Sequence, residues 1–233
     1  MSAATELREF TARSNAIHDE YLGDPALLER YSRFVAWQTN YMLPLYENLR
    51  VSESYSNAVD FVVSDLTGIN VSRRDQDIAR VVPIMSRMLP DAALQTMAAA
   101  MRLNARVLEV NLSICRAIYK ERLVDEDFSE AEYCLASRQA FELDECLELV
   151  QLTEDIGRSL DHVIRIPMIG PMLRAMRMPA RLWGFAAMQE FLEKGYETFS
   201  ALEDVDQFLA DIKLRMTEVF TEIFTRPLET DEQ

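Results

Sequence analysis

Two histidines, thirty-nine carboxylates and a local run of arginines are the residues of this 233-residue chain from which chemistry could be built. A helical bundle can hold a di-iron site through glutamates and Glu-x-x-His pairs on facing helices. Here Asn15 stands three residues before His18 and Ser159 three before His162, so neither histidine belongs to such a pair. Glu142, Glu145 and Glu148 could supply carboxylates alone, but transition metals favour imidazole or thiolate, and no metal is expected. Cys115, Cys134 and Cys146 are odd in number and form no CxxC, which points to buried reduced thiols rather than a disulfide framework or a zinc site. The chain has no GxSxG, no phosphate-cradling Gly-rich loop and no HExxH, and only six glycines. No cofactor is expected, no residue is assigned a catalytic role, and the balance is against an enzyme.

The arginines are more informative. From Asp161 to Glu190 no acidic residue intervenes, while Arg165, Arg174, Arg177 and Arg181 fall between them, with Pro167, Pro171 and Pro179 and with Met168, Met172, Met176 and Met178. Spacings of three and four put Arg174, Arg177 and Arg181 on one face if a helix runs through Pro179, and guanidinium forks suit carboxylate or phosphate. Methionines can fill a core or make a plastic surface for an apolar partner. His162 shares a polar stripe with Glu148, Gln151, Asp155 and Arg158; it reads either as a surface residue or as a proton-transfer group beside the arginines. The candidate binding set is therefore Arg165, Arg174, Arg177, Arg181, Met172, Met176, Trp183 and His162. Against it stands the plainer reading that the arginines pair with the protein's own carboxylates and the methionines pack the core.

The formal charge of -15 disfavours attraction to nucleic acid or an anionic membrane. From Glu121 to Asp155, twelve acidic residues face two arginines: a solvated face, or an acidic docking surface or nucleic-acid mimic. Apolar residues at 49% and charged residues at 27% suit a folded globular chain rather than a disordered one. The first residues lack the features of a signal peptide, and no apolar run approaches a membrane span. A cytoplasmic protein is expected.

These residues must be positioned by helices, because no stretch shows the alternation a strand needs. The pattern predicts one all-α domain over residues 1–229, an irregular bundle of about eight to ten helices, with a disordered acidic tail over 230–233. A helix from about Thr5 to Leu22 is interrupted at Ser14 and stopped by Gly23. Asp24-Pro25 is a cap and first-turn pair opening a helix toward Pro44. A third helix reaches Gly68, and a fourth, from Ser72 to Leu89, carries Pro83. A helix of about 50 Å spans Asp91 to Leu123, with Arg102, Arg106, Glu109, Ser113, Arg116 and Lys120 on its wet side. Ser129 caps a segment reaching Phe141, and another helix runs from Leu143 to Ile164. The proline-broken stretch then acts as a hinge, Pro179 starts the next helix, and a last one carries Val205 to Ile223.

The stretches RRDQDIARVVPIMSRMLP (Arg73 to Pro90) and RIPMIGPMLRAMRMPARLWGFAAMQEFLEKGYETF (Arg165 to Phe199), with the aromatic-rich helix before Gly68, resemble the uncharacterised bacterial FFLEELY-motif family. The eponymous motif corresponds to FVVSDLT, in which Phe61 and Leu66 keep the motif residue. The resemblance implies a helical bacterial protein and brings no catalytic residue or cofactor.

The leading functional expectation is a non-enzymatic protein-binding or adaptor module that uses the Arg/Met segment. One alternative is an anionic small molecule, held by the same arginines inside the bundle and assisted by His162 or a tyrosine. Another is an acidic decoy or immunity-type protein acting through Glu121 to Asp155. Self-association is a further expectation, because the long and last helices offer wide apolar faces.

Overall fold

The computed structural model describes residues 2–62, 89–120, 122–123 and 126–227. The expected helix from Ser72 to Leu89, except its last residue, most of the FVVSDLT stretch and the tail over 230–233 lie outside these residues. Among the described residues there are nine α-helices and no strand: α1 Ala3–Leu22, α2 Pro25–Leu45, α3 Glu53–Asp60, α4 Asp91–Ile118, α5 Glu130–Ala140, α6 Leu143–Ile164, α7 Ile169–Trp183, α8 Ala186–Ser200 and α9 Val205–Thr225.

Local chemistry explains most of the boundaries. Asp24 accepts hydrogen bonds from the backbone N–H groups of Ala26 and Leu27 at 3.0 and 3.2 Å, and Pro25 at the first position leaves no donor unsatisfied. Ser129 forms a capping box with Glu132: its hydroxyl accepts from the Glu132 N–H at 3.3 Å, while Glu132 accepts from the Ser129 N–H at 2.7 Å. Replacing Ser129 with alanine is expected to cost about 1 kcal/mol in urea unfolding. An unchanged midpoint would show that Glu132 alone holds the helix start.

The spine is α4, which packs on α1, α2, α5 and α6. Its wet stripe is a row of ties to its neighbours: Glu109 pairs with Arg13 of α1, Arg106 with Glu145 of α6, and Arg116 with Glu20 of α1. It ends at Ile118, short of the expected Leu123. The reason lies in the core, where the buried Tyr119 ring meets Phe128 edge-on at 6.1 Å, so the chain turns there to bring both rings inside.

Ser14 does not interrupt α1. It is fully buried and accepts a hydrogen bond from Asn104 of α4 at 3.1 Å. Thr11 and His18 on the same face are also buried, Thr11 donating to the Leu7 carbonyl at 2.6 Å and His18 meeting the Tyr21 hydroxyl at 2.7 Å. Helices α6 and α9 approach closely at Gly157, where a β-carbon would stand 2.3 Å from a Leu209 methyl group. Only glycine fits there unless the buried Leu209 moves.

Candidate functional site

The arginine-rich stretch is a helix, not a hinge. Residues 165–168 form the break after α6, and α7 runs without interruption through Pro179, which corrects the expected helix start at Pro179. Pro171 falls in the first turn, where an amide proton has no helical partner anyway. Pro179 deprives the Ala175 carbonyl of its usual donor, but Ala175 is exposed and water can serve instead. The helix stops at Gly184, whose left-handed backbone (φ 80°, ψ 27°) closes a Schellman motif in which the Phe185 N–H reaches the Ala180 carbonyl at 2.9 Å.

This geometry sorts the candidate residues into two groups. Met172 packs with Ala93, Val163 and Ile169, and Met176 with Leu7, Met101 and Phe185, so both belong to the core. Arg165 clamps Asp161 through two hydrogen bonds of 2.9 Å. Arg177 donates from Nε to both oxygens of Glu193 at 2.7 and 2.8 Å, and this guanidinium, with Gln189 beside it, lowers the Glu193 carboxyl below its ordinary range. Gln189 is buried and also donates to the Leu173 carbonyl at 2.7 Å, fixing α8 against α7. His162 is exposed in the last turn of α6 and makes no hydrogen bond or ion pair with a described residue.

Arg174 and Arg181 are exposed and form no ion pair with a described residue. Three and four residues apart along the same face lie Arg174, Met178, Arg181 and Leu182. Met178 is 62% exposed, Leu182 77%, and Trp183, at the helix end beside Phe185, 53%. Exposed guanidinium charge, of which Arg181 also helps to lower the Glu193 carboxyl, therefore borders an uncovered apolar strip. Sequence periodicity missed Met178 and Leu182, because apolar residues at helical spacing are ordinarily assigned to the core.

Inside the bundle, two adjoining hollows of about 210 and 160 Å³ share Val62, Ala100, Leu103 and Phe191 among their walls. None of Arg165, Arg174, Arg177 and Arg181 lines either hollow. One wall of the larger hollow carries Gln38, Asn104, Asn111 and Tyr133, a buried polar group the pattern did not reveal. The signal for it was two asparagines seven residues apart on an otherwise apolar side of α4.

The cysteines are all buried, and burial pushes the Cys115 and Cys146 thiols up to about 12, which leaves them unreactive. At least four of the twelve carboxylates in the acidic stretch serve internal ties: Glu130 pairs with Arg226, Glu132 with Arg122, Glu145 with Arg106, and Glu154 with Lys213 and Arg158. Among the described residues, no group of three or more His, Cys, Asp or Glu is placed to hold a metal ion. No described helix is long and apolar enough to cross a membrane.

Comparison with known proteins agrees in adding no activity. No curated protein and no solved structure matches the chain. The model of one family, described as a domain of unknown function (DUF8198), matches residues 18–229; with most of its length so covered, the chain belongs to that family.

Proposed function

We propose that this protein is a non-enzymatic binding module that docks a partner protein on the outer face of α7. The observation that carries the reading is the pairing of two exposed arginines, which form no ion pair with a described residue, with the uncovered side chains of Met178, Leu182 and Trp183. Tryptophan and arginine supply a large share of the energy at protein interfaces, and a contiguous apolar patch rimmed by charge marks an interaction surface. The partner surface that fits is apolar at its centre with carboxylates at its edge, because Arg174 and Arg181 offer charge-assisted forks. The overall charge of -15 argues against an anionic bilayer as the surface recognised.

The test places a photo-crosslinking residue at Leu182 and identifies the captured protein by mass spectrometry. Arg174→Glu with Arg181→Glu is expected to abolish the crosslink, and Trp183→Ala to weaken binding of the identified partner by about tenfold or more. Crosslinking that survives charge reversal would refute the reading. Arg177 is a poor choice for the variant, since its reversal would also break the Glu193 clamp. Light scattering on the same proteins shows whether the partner is a second copy of this chain.

A further inference from the structure

We infer that the larger hollow is a binding site for a neutral, elongated lipophile ending in a hydroxyl group, of the long-chain primary alcohol class. The space measures about 210 Å³ and adjoins a second hollow of about 160 Å³ across shared apolar walls that include Ala100, Leu103 and Phe191. A space of this size far exceeds the roughly 30 Å³ share of one liquid water molecule, and away from the polar wall its apolar lining gives water no partners, so a largely apolar occupant is favoured over solvent.

The head group follows from the polar wall. No charged side chain lines either hollow among the described residues, and a buried carboxylate, phosphate or ammonium would have no counter-charge. Gln38 spends its amide hydrogens on Asn111 Oδ1 at 3.1 Å and the Tyr133 hydroxyl at 3.2 Å, while Asn111 in turn hydrogen-bonds Tyr31. That orientation of the Gln38 amide is assigned from its neighbours, and it leaves Gln38 Oε1 as an acceptor with no partner among the described residues. Burial pushes the Tyr133 phenol up, so it keeps its proton, and its hydroxyl already meets both Gln38 and Ser137. An acceptor with no described partner on the wall of an otherwise apolar hollow matches a hydroxyl, which gives its proton to Gln38 Oε1. Thr39 and Thr153, also on the walls, already donate to their own helices at 2.8 Å and place no demand on the ligand.

The test titrates the full-length protein with the neutral fluorescent probe N-phenyl-1-naphthylamine and displaces it with 1-dodecanol, dodecyl methyl ether or laurate at pH 8. Probe binding is expected, with dodecanol competing at least tenfold better than the ether and laurate failing to compete. Gln38→Leu should retain the probe and lose the preference for the alcohol. Ala100→Phe, or Leu103→Trp if the first variant does not melt cooperatively, should fill the hollow and abolish probe binding. Failure of the wild-type protein to bind the probe overturns the proposal. So does equal competition by laurate, or a probe signal that survives a filled hollow. None of the docking-face side chains Arg174, Met178, Arg181, Leu182 and Trp183 lines either hollow, so this site and the docking face stand or fall separately.

Discussion

Replacing Phe34 with alanine is expected to lower the unfolding free energy by about 3–5 kcal/mol, the cost of a large core truncation whose cavity cannot collapse. Phe34 is fully buried, and its ring lies 6.3 Å from Tyr31 and 6.4 Å from both Phe128 and Tyr133. Those neighbours come from α2, α5 and the segment just before α5, and each is itself pinned by other rings: Phe128 by Trp37 at 4.6 Å and Tyr133 by Trp37 at 5.1 Å. Little in this cluster can move to refill the space. Urea unfolding followed by circular dichroism measures the loss, with Leu182→Ala as the contrast. Leu182 is 77% exposed and should shift stability by less than about 0.5 kcal/mol. Equal destabilisation by the two variants would mean that the aromatic cluster is not a keystone of the core.

The second large effect concerns Glu154. Lys213 first and Arg158 second, each hydrogen-bonded to it, lower its carboxyl from 4.5 to about 2 against the opposing pull of burial. Lys213 reaches Glu154 at 2.7 Å from α9, and Arg158 at 2.8 Å from the next turn of α6. Both cations are substantially exposed, 40% and 48%, so solvent screens part of the gain and about 1–2 kcal/mol is a fair expectation.

The sign is that of a depressed carboxylate. The stabilisation is complete above about pH 4.5, declines as the pH falls below that value, and is lost through about pH 2. Glu154→Gln should therefore be less stable than the wild type at pH 7 and converge on it near pH 2. A stability difference that stays constant across that range would show that the loss is one of packing rather than of charge.

Much of the helical plan was legible because it rests on local physics. Asp24-Pro25 and Ser129 act on amide groups within three residues of themselves, and the period of α4, α6 and α9 follows from which side chains water excludes. The arginine segment was legible as unusual, since charge contrast needs no coordinates. Its conformation was not. Pro179 is compatible both with starting a helix and with sitting inside one, and the choice depends on whether the Ala175 carbonyl faces solvent, a property of the packing of α7 on α8.

Burial of polar groups was hidden for the same reason. Ser14, Gln38, Asn104 and Asn111 resemble wet-face residues until partners on other helices satisfy them, and those partners lie up to 95 positions away in the chain. Conversely, Met178 and Leu182 resemble core residues until no neighbour covers them. The segment from Arg165 to Trp183 could thus be picked out as a basic, methionine-rich exception in an acidic chain by composition alone. The Arg165–Asp161 pair is four positions apart and so within reach of local spacing, but that Arg177 is spent on Glu193, sixteen positions away on the next helix, only the tertiary structure decides, because such a pair depends on a distance between helices that no local pattern encodes.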